Sequence, residues 1–236
     1  MAGSSPAEAL RLLTLARPDK ANALDPASVA TLAAGVAAAA AENAPFAFRA
    51  EGRVFCGGFD FTGVETQSEG DLLLRFAQIE LLLQAVSTAP VVSLALVDGA
   101  AFGAGADLVA ACTYRLGTAK AKFRFPGFRF GVALGTRRLA ALVGTDMARA
   151  ILLENRTLDA PEALRVGLLT HIVEPEELPA TAERLLAAHD GLPPGAAARL
   201  LRLTGTDSGD EDLAELVRSL APAGLHARIA RYRGQH

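Results

Sequence analysis

The sequence predicts an α/β domain, and three observations favour this class. A strand-like run, a glycine-rich turn and a helix-like run follow one another twice in the same order. Residues 91–97 are apolar enough for a strand buried on both faces of a parallel sheet. The 236 residues are 51% hydrophobic and 21% charged, which is sufficient for one sizeable core and argues against disorder. Together these features predict layers of helices packed on a sheet.

The first half of the chain alternates between strand-like and helix-like runs. Asp25 followed by Pro26 is typical of a helix start, and this helix is predicted to reach residue 41. A second helix is predicted to open at Asp71, because apolar residues then recur close to the helical period. Pro90 ends it. A third helix is predicted after the second glycine turn, at residues 105–112. The strands are predicted at residues 9–15, 46–50, 91–97 and 114–117.

Helical signals dominate the chain from residue 136 onward. Glycine-proline stretches separate the predicted helices, which lie at residues 136–143, 146–154, 161–165, 176–188, 195–202 and 210–220. We therefore predict an α/β core over residues 1–190 and a C-terminal helical region over residues 191–236.

Composition and charge exclude several functions. The formal net charge is -3 with no block of like charge, which argues against a nucleic-acid partner. Residues 1–8 lack the pattern of a signal peptide, and the longest apolar region is interrupted by charges and glycines, so no membrane span is expected. Cys56 and Cys112 lie among small apolar neighbours, as buried reduced thiols do. We expect a cytoplasmic protein without a metal site, since no histidine stands at ligand spacing from a cysteine or carboxylate.

Two glycine-rich turns, each ending at an aspartate, are the most informative feature of the chain. The first reads Phe55-Cys56-Gly57-Gly58-Phe59-Asp60, and the second runs from Gly99 to Asp107. Each should place free backbone N–H groups at a helix N-terminus, where the helix dipole adds positive potential. One such turn is a generic anion site. Two that converge could hold a single oxygen from both sides, as an oxyanion hole does.

Other interpretations of these turns remain open. They could be tight connections from strand to helix that bind nothing. The Gly103-Ala104-Gly105 stretch contains the Gly-x-Gly of dinucleotide sites, but the third glycine and the acid some twenty residues further on are absent. Cys56 could be a nucleophile beside the first turn, although no nearby histidine in the sequence would activate it.

Five segments, in this order, resemble motifs of the crotonase superfamily, the enoyl-CoA hydratase/isomerase family. They are Arg17-Pro18-Asp19-Lys20-Ala21-Asn22-Ala23-Leu24, the two glycine turns, Gly135-Thr136-Arg137-Arg138-Leu139, and residues 160–169. The resemblance covers nearly the whole chain. It implies a ClpP/crotonase-like fold of repeated ββα units, with a C-terminal helical region that drives assembly into a homotrimer or a hexamer of two trimers.

The resemblance also implies where an acyl-CoA thioester would bind. The backbone N–H groups of Phe59 and Ala104 would form the oxyanion hole, which stabilises the enolate-like thioester. Coenzyme A would enter as part of the substrate, with no permanently bound cofactor. Lys20 and Arg53 are candidates for its phosphates, since the lysine that often follows the first turn in the family is absent here. The predicted contacts to coenzyme A are Lys20, Asn22, Ala23, Leu24, Gly57 and Gly58.

The acid/base groups depart from the family pattern. Hydratases of the family use two glutamates on the water and the proton. The first falls on Asp107, whose carboxylate is withdrawn by roughly 1.5 Å for the missing methylene, and a displacement of that order can cost about 100-fold in rate. The second falls on Gly127, and no acid replaces it. One acid favours double-bond isomerisation over hydration, because one base can remove and return the same proton.

The roles of several charged residues stay open at this point. Asp107 is either the catalytic acid/base or a residue that merely stabilises a helix N-terminus. Asp60 is interpreted as a cap that holds the first turn. Arg124 and Arg129 flank the missing acid, and they are either surface arginines or, if they point inward, ligands for a carboxylate on the acyl group.

The prediction is an acyl-CoA-binding enzyme that stabilises a thioester enolate, with isomerisation favoured over hydration. The alternatives are a member that has lost its chemistry and only binds CoA thioesters, or a decarboxylase or thioester hydrolase that uses the same hole. The sequence leaves the acyl group unnamed.

Overall fold

The computed structural model describes residues 10–205 and 208–234, in which strands and helices are interspersed up to residue 172 and only helices follow. The strands are β1 Arg11–Leu15, β2 Phe46–Ala50, β3 Val54–Cys56, β4 Ser93–Val97, β5 Ala100–Phe102, β6 Tyr114–Gly117, β7 Lys122–Arg124, β8 Thr157–Asp159 and β9 His171–Ile172. The helices are α1 Pro26–Ala41, α2 Glu69–Ser87, α3 Ala104–Ala110, α4 Thr136–Val143, α5 Thr145–Glu154, α6 Ala160–Arg165, α7 Leu178–Ala187, α8 Ala196–Thr204, α9 Gly209–Leu220 and α10 Leu225–Arg233.

Two sheets are built from the same repeating unit. The five-stranded sheet has the order β1-β2-β4-β6-β9 and is parallel throughout. The four-stranded sheet has the order β3-β5-β7-β8, in which only the β7–β8 pair is antiparallel. Each ββ pair contributes its first strand to the larger sheet and its second strand to the smaller one, and a helix follows. The α/β class and the repeated ββα units are therefore confirmed.

A glycine makes one of the corners between the sheets. Gly99 joins β4 to β5 at a φ of +120°, which L side chains rarely adopt. A side chain here would collide with the carbonyl oxygen of Arg53, just before β3. The β4–β5 corner can therefore pass beside β3 only because position 99 has no Cβ.

The predicted elements lie within two residues of the observed ones, where both can be compared. The largest shift with a clear cause is at α2, which begins at Glu69 rather than at Asp71. Ser68 is the N-cap, and its side chain and that of Asp71 accept each other's backbone N–H in a capping box. The predicted start of β1 at residue 9 and the predicted absence of a signal peptide over residues 1–8 lie outside the described residues.

The whole smaller sheet is missing from the sequence prediction. Its strands are three residues long, and their partners lie far away in the chain. Runs of that length carry no readable periodicity, since alternation needs at least four residues. The two-residue β9 was not predicted either, whereas α10 lies within the predicted C-terminal helical region, for which no separate helix was predicted after residue 220.

The main core is shared by both sheets, and α2 contributes several of its buried residues. Phe46, Phe48 and Phe123 are fully buried, and burying each stabilises the fold by about 1.5–3 kcal/mol. Helix α2 packs against both α1 and α9. Among the described residues, no helix combines the length and apolarity needed to cross a bilayer.

Candidate active site

The first glycine turn is held by the segment that precedes α1. Leu24 and Phe59 form a parallel β-bridge, in which the N–H of Leu24 donates to the Gly58 carbonyl (2.7 Å) and the N–H of Asp60 donates to the Leu24 carbonyl (3.2 Å). In a parallel bridge one residue bonds to both neighbours of its partner. The N–H of Phe59 therefore points to the opposite side, away from Leu24.

The second glycine turn ends at the N-terminus of α3. Gly103 adopts a φ of +51°, and its N–H donates to the Arg124 carbonyl at 2.8 Å, which ties the turn to β7. The N–H groups of Ala106 and Asp107 donate back to the Gly103 carbonyl at 2.8 and 3.0 Å. Ala104 is the first residue of the helix, where a backbone N–H has no intrahelical acceptor.

The two turns are in contact because glycines face each other across them. A Cβ on Gly58 would lie 2.7 Å from the Phe102 carbonyl oxygen and 3.3 Å from the amide nitrogen of Ala104. A Cβ on Gly105 would lie 2.5 Å from the carbonyl oxygen of Cys56. Either substitution would push β3 and α3 apart. The turns thus converge, and Phe59 and Ala104 line one cavity. The prediction that each turn ends at a helix N-terminus is wrong for the first turn, because Phe59 lies in a β-bridge and α2 begins only at Glu69.

That cavity has a volume of about 130 Å³ and an aromatic wall. Eight aromatic rings line it: Phe59, Phe61, Phe76, Phe102, Phe125, Phe128, Phe130 and Tyr232. Gly57, Gly103, Ala104 and Gly127 contribute backbone, and among the described lining residues Asp107 is the single charged side chain. The cavity therefore combines an apolar space with two glycine turns and one acid.

The position of Phe59 is fixed by stacking on both sides of its ring. Phe76 of α2 stacks on it with centroids 4.2 Å apart and an interplanar angle of 13°, and the Arg75 guanidinium carbon lies 4.2 Å from its centroid. Arg75 in turn donates to the Asp60 carbonyl at 2.5 Å and to Gln67 Oε1 at 3.0 Å. The residue whose amide is predicted to bind the thioester is therefore held firmly.

Asp107 is buried in the wall of the cavity, with only 4% of its surface exposed. Its Oδ1 accepts no hydrogen bond among the described residues. Burial raises the pKa of this carboxyl well above the ordinary 3.8; Arg138 opposes the rise and Glu80 adds to it. Asp107 lies in the first turn of α3, where its charge would also stabilise the helix N-terminus, so the structure leaves both of its predicted roles possible.

Gly135 explains why a glycine begins the Gly-Thr-Arg-Arg-Leu motif. It is the N-cap of α4 at a φ of +63°, and a Cβ there would lie 2.7 Å from the carboxyl carbon of Asp107. The N-terminus of α4 is thus packed directly on the acid. The positive end of that helix dipole favours the ionised form of Asp107, against the effect of burial.

A buried ion-pair network lies behind Asp107. Arg138 of α4 pairs with Glu80 of α2, and its guanidinium lies 3.7 Å from Asp212 of α9. Arg137 donates to the same Asp212 at 2.7 Å. Burial raises the pKa of Glu80, although Arg138 opposes this. The network joins three helices and leaves Arg138 already paired with acids other than Asp107.

The position of the missing second acid is occupied by backbone. Gly127 lines the cavity within a 3₁₀ helix, Pro126–Phe130. The N–H of Val132 donates to the Gly127 carbonyl at 2.9 Å, and a Cβ on Gly127 would lie 2.8 Å from the Val132 carbonyl oxygen. The loop is too tight there for any side chain without rearrangement.

The predicted coenzyme A segment lies against the first turn, and its polar groups are engaged within the fold. Asn22 is buried at a φ of +53°, accepts from the Arg17 N–H at 2.8 Å and donates to the carbonyls of Glu51 and Val54, both at 2.8 Å. The N–H of Gly57 donates to the Ala21 carbonyl at 2.8 Å. Asn22 and Ala23 line a second cleft of about 260 Å³ with Arg17 and Asp25, whereas Lys20 and Arg53 are exposed.

The remaining alternatives from the sequence are decided by contacts. Arg124 Nε donates to Asn155 Oδ1 at 3.2 Å and Arg129 donates to the Leu153 carbonyl at 3.1 Å, so both point toward the end of α5; neither is among the described residues that line the cavity. Burial raises the pKa of Cys56 to about 12, and its thiol donates to the Asn22 carbonyl at 3.2 Å, so both the environment and the geometry disfavour a reactive thiolate.

Asp60 is confirmed as the cap of the first turn. It accepts from the Thr62 N–H and from Arg17, both at 2.9 Å. Burial alone would raise its pKa, but these hydrogen bonds outweigh that effect and lower it. Sequence reasoning missed Phe76 and Tyr232 as cavity residues, because they lie on α2 and α10, far from either glycine turn in the chain.

Comparison with known proteins agrees with this geometry. The sequence model of the enoyl-CoA hydratase/isomerase family matches residues 6–202. A Mycobacterium leprae protein designated a probable enoyl-CoA hydratase is 31% identical over 220 residues, covering 90% of this chain and 85% of its own. The human mitochondrial methylglutaconyl-CoA hydratase is 29% identical over 173 residues, which cover 71% of this chain and 50% of that protein. A Bordetella parapertussis crystal structure described as an enoyl-CoA hydratase/isomerase is 46% identical, with a TM-score of 0.94 and coverage of 99% and 98%.

Proposed function

Because this chain belongs to the enoyl-CoA hydratase/isomerase family and has its crotonase fold, we propose that it binds an acyl-CoA thioester and moves a proton on an enoyl group. The resemblance seen in the sequence and the predicted fold are thereby confirmed. One observation carries the proposed chemistry: two converging glycine turns and one buried acid line the same cavity.

The thioester carbonyl would accept hydrogen bonds from the N–H groups of Phe59 and Ala104. Negative charge develops on this oxygen when the α-carbon loses a proton. Two donors fixed in a water-poor site stabilise that charge by about 3–4 kcal/mol each, judged from single-donor removals in other oxyanion holes. The Phe59 amide faces away from Leu24, and the Ala104 amide begins α3, which supports this assignment.

Asp107 would carry the proton between two carbons. Its ionised carboxylate takes a proton from the α-carbon of a 3-enoyl thioester, and the C–H electron pair enters a dienolate held in the hole. The protonated Asp107 then returns the proton at the γ-carbon, which leaves the double bond between the α- and β-carbons. Atoms and charge balance without water or a second acid. The raised pKa of Asp107 brings this base closer to the working pH, where proton transfer is most effective.

Gly127 favours isomerisation over hydration in this proposal. Hydration needs a second group to activate water on the β-carbon, and backbone occupies that place. The same absence supports the second candidate, a CoA-thioester binder without turnover. A decarboxylase or thioester hydrolase would also use the hole without a second glutamate.

Coenzyme A is proposed to lie along the segment before α1 and the first turn. The contacts assigned to it are Lys20, Asn22, Ala23, Leu24, Gly57 and Gly58. Since the Asn22 side chain is already committed to three hydrogen bonds, its part is to hold the backbone rather than to touch the ligand. Lys20 and Arg53 are exposed cations and are suited to the phosphates.

We propose residues 1–190 as the catalytic core and residues 191–236 as the region that drives assembly into a trimer or a hexamer. Leu200 and Leu203 on α8 are 61% and 67% exposed, an apolar pair suited to burial between subunits. Light scattering of the purified chain tests this assembly. A monomer at micromolar concentration would contradict it.

Turnover of matched thioesters tests the proposed reaction. The chain should convert 3-hexenoyl-CoA to the conjugated 2-enoyl isomer and hydrate crotonyl-CoA far more slowly. Asp107→Asn should abolish the isomerisation while leaving thioester binding within about threefold, since the side chain keeps its shape. Binding without turnover of any thioester would favour the inactive binder, and unchanged turnover in Asp107→Asn would remove that residue from the mechanism.

A further inference from the structure

Helix α10 contributes Tyr232 to the wall of the aromatic cavity and is held in place by hydrogen bonds on one side and an ion pair on the other. Arg228 of α10 donates to the carbonyls of Phe130 and Gly131 at 3.2 and 3.3 Å. It also donates to three carbonyls at the C-terminal end of α9 and just after it, those of Ser219, Leu220 and Pro222. A Cβ on Gly131 would lie 2.6 Å from the Arg228 guanidinium. On the other side, Arg233 pairs with Glu65 in the loop before α2.

This fastening places Tyr232 at a fixed position in the cavity wall. Its ring lies 5.0 Å from that of Phe130 and 6.4 Å from that of Phe61, measured between centroids. Burial raises the pKa of its hydroxyl, so the ring presents a neutral surface at physiological pH. The cavity is therefore bounded on this side by a residue of the same chain, and its volume of about 130 Å³ is well below the roughly 300–1,000 Å³ of pockets that enclose drug-sized ligands.

Among the described residues, no cationic side chain lines the cavity and could bind a carboxylate on the acyl group. Asp107 is itself an acid. In the part of the chain that the structure describes, the cations behind the cavity wall are engaged elsewhere: Arg138 with Glu80 and Asp212, Arg75 with the Asp60 carbonyl and Gln67, Arg124 with Asn155, Arg129 with the Leu153 carbonyl, and Arg228 with the carbonyls of Phe130 and Gly131. Of these, Arg124 is close enough to affect the pKa of Tyr232. A carboxylate on the acyl chain would thus be buried among phenylalanine rings without a partner, at a cost that usually excludes it.

Resting on the proposed function, we propose that the cavity selects short, uncharged acyl groups, that it rejects acyl groups ending in a carboxylate, and that Tyr232 limits their length. The similarity to a human methylglutaconyl-CoA hydratase, whose named substrate carries a second carboxylate, therefore does not extend to the acyl group. Phe61 and Phe130 support the ring of Tyr232, and Asp107, the proposed acid/base, lines the same cavity.

Calorimetric titration with three saturated thioesters tests this selection, because all share coenzyme A and none has the double bond that the proposed isomerisation moves. Pentanoyl-CoA should bind at least about 100-fold more tightly than glutaryl-CoA, whose acyl group has the same number of carbons but ends in a carboxylate instead of a methyl group. Pentanoyl-CoA should also bind about 10-fold more tightly than decanoyl-CoA. Equal affinities for glutaryl-CoA and pentanoyl-CoA would overturn the proposed exclusion of a carboxylate. If Arg124→Gln then lost the affinity for glutaryl-CoA, Arg124 would be identified as the residue that binds the carboxylate.

Variants of the wall test the length limit. Tyr232→Ala should raise the affinity for decanoyl-CoA about 10-fold and leave that for glutaryl-CoA low, whereas the matched control Tyr232→Phe should keep the wild-type order. If Tyr232→Ala does not fold, Phe61→Ala enlarges the same wall. Unchanged decanoyl-CoA affinity in a folded, enlarged variant would overturn the role of Tyr232. Failure of the folded wild type to bind any of the three thioesters would instead refute the proposed function.

Discussion

Replacing Gly58 by alanine should separate the two glycine turns and so disrupt the proposed oxyanion hole. Gly58 adopts a φ of +92°, and a Cβ there would lie 2.7 Å from the Phe102 carbonyl oxygen and 3.3 Å from the amide nitrogen of Ala104. Neither contact is with a flexible side chain, so the turn before α3 must move. The shift affects the very amide that is proposed to bind the thioester.

The expected magnitude has two parts. An alanine forced into a left-handed conformation costs about 1–2 kcal/mol, and the overpacked contact with backbone adds about 1–3 kcal/mol. The free energy of unfolding should therefore fall by about 2–5 kcal/mol. If the turn relieves the clash by moving about 1 Å, turnover should fall by about 100-fold.

Gly191→Ala is the matched control. Gly191 has a φ of +93°, and nothing lies within 4 Å of the Cβ it would gain. It should lose only the conformational part, about 1–2 kcal/mol, and keep full activity. Urea denaturation gives the stabilities, and isomerisation of 3-hexenoyl-CoA gives the rates. Equal stability losses in both variants, together with full activity of Gly58→Ala, would refute the close contact of the two turns.

Three further substitutions follow from the same structure. Because the pKa of Asp107 is raised in the fold, the folded state holds this proton more tightly than the unfolded state; its stabilising effect is present below the ordinary pKa of 3.8 and is lost as pH rises through the folded value. Thermal melting should therefore show that the stability of Asp107→Asn relative to the wild type is about 1–3 kcal/mol greater at pH 8 than at pH 4. A stability difference that does not change with pH would contradict this. Wild-type turnover should rise with pH as the carboxylate forms. Asn22→Ala should lower the free energy of unfolding in urea by about 2–4 kcal/mol, because three hydrogen bonds are lost. The control is Asn43→Ala, since Asn43 is exposed and has a nearly equal φ of +55°. Equal losses of stability in the two variants would show that the three hydrogen bonds contribute nothing. Gly127→Glu should lower the melting temperature and should not give the chain the ability to hydrate crotonyl-CoA, because the new Cβ would lie 2.8 Å from the Val132 carbonyl oxygen. A stable variant that hydrates crotonyl-CoA would mean that the loop rearranges freely.

The longer elements were predictable from the sequence because their signals are local. Asp25 accepts from the Ser28 N–H and starts α1 as the Asp-Pro pair predicts. Strands β2 and β6 and helix α4 have the predicted bounds. The smaller sheet could not be predicted, since its three-residue strands form only when paired with segments distant in the chain.

The candidate site was predictable where it depends on glycine and was not predictable where it depends on packing. Gly58, Gly103 and Gly105 signal the close approach of two turns, because a Cβ at Gly58 or Gly105 would prevent it. The aromatic wall gave no such signal. Phe76 and Tyr232 reach the cavity from α2 and α10, which are brought together by the tertiary structure alone.

The sequence by itself determined the α/β class, the family, the two turns and the loss of the second acid. Each of these depends on residue types at a fixed spacing, which can be read directly from the order of residues in the chain. Only the tertiary structure decided that Asp107 is buried without a hydrogen-bond partner for its Oδ1 among the described residues, that Arg124 and Arg129 point toward α5, and that Tyr232 lines the cavity. The physical reason is that burial, charge pairing and the shape of a cavity are properties of groups that meet in space, and these groups come from segments far apart in the chain.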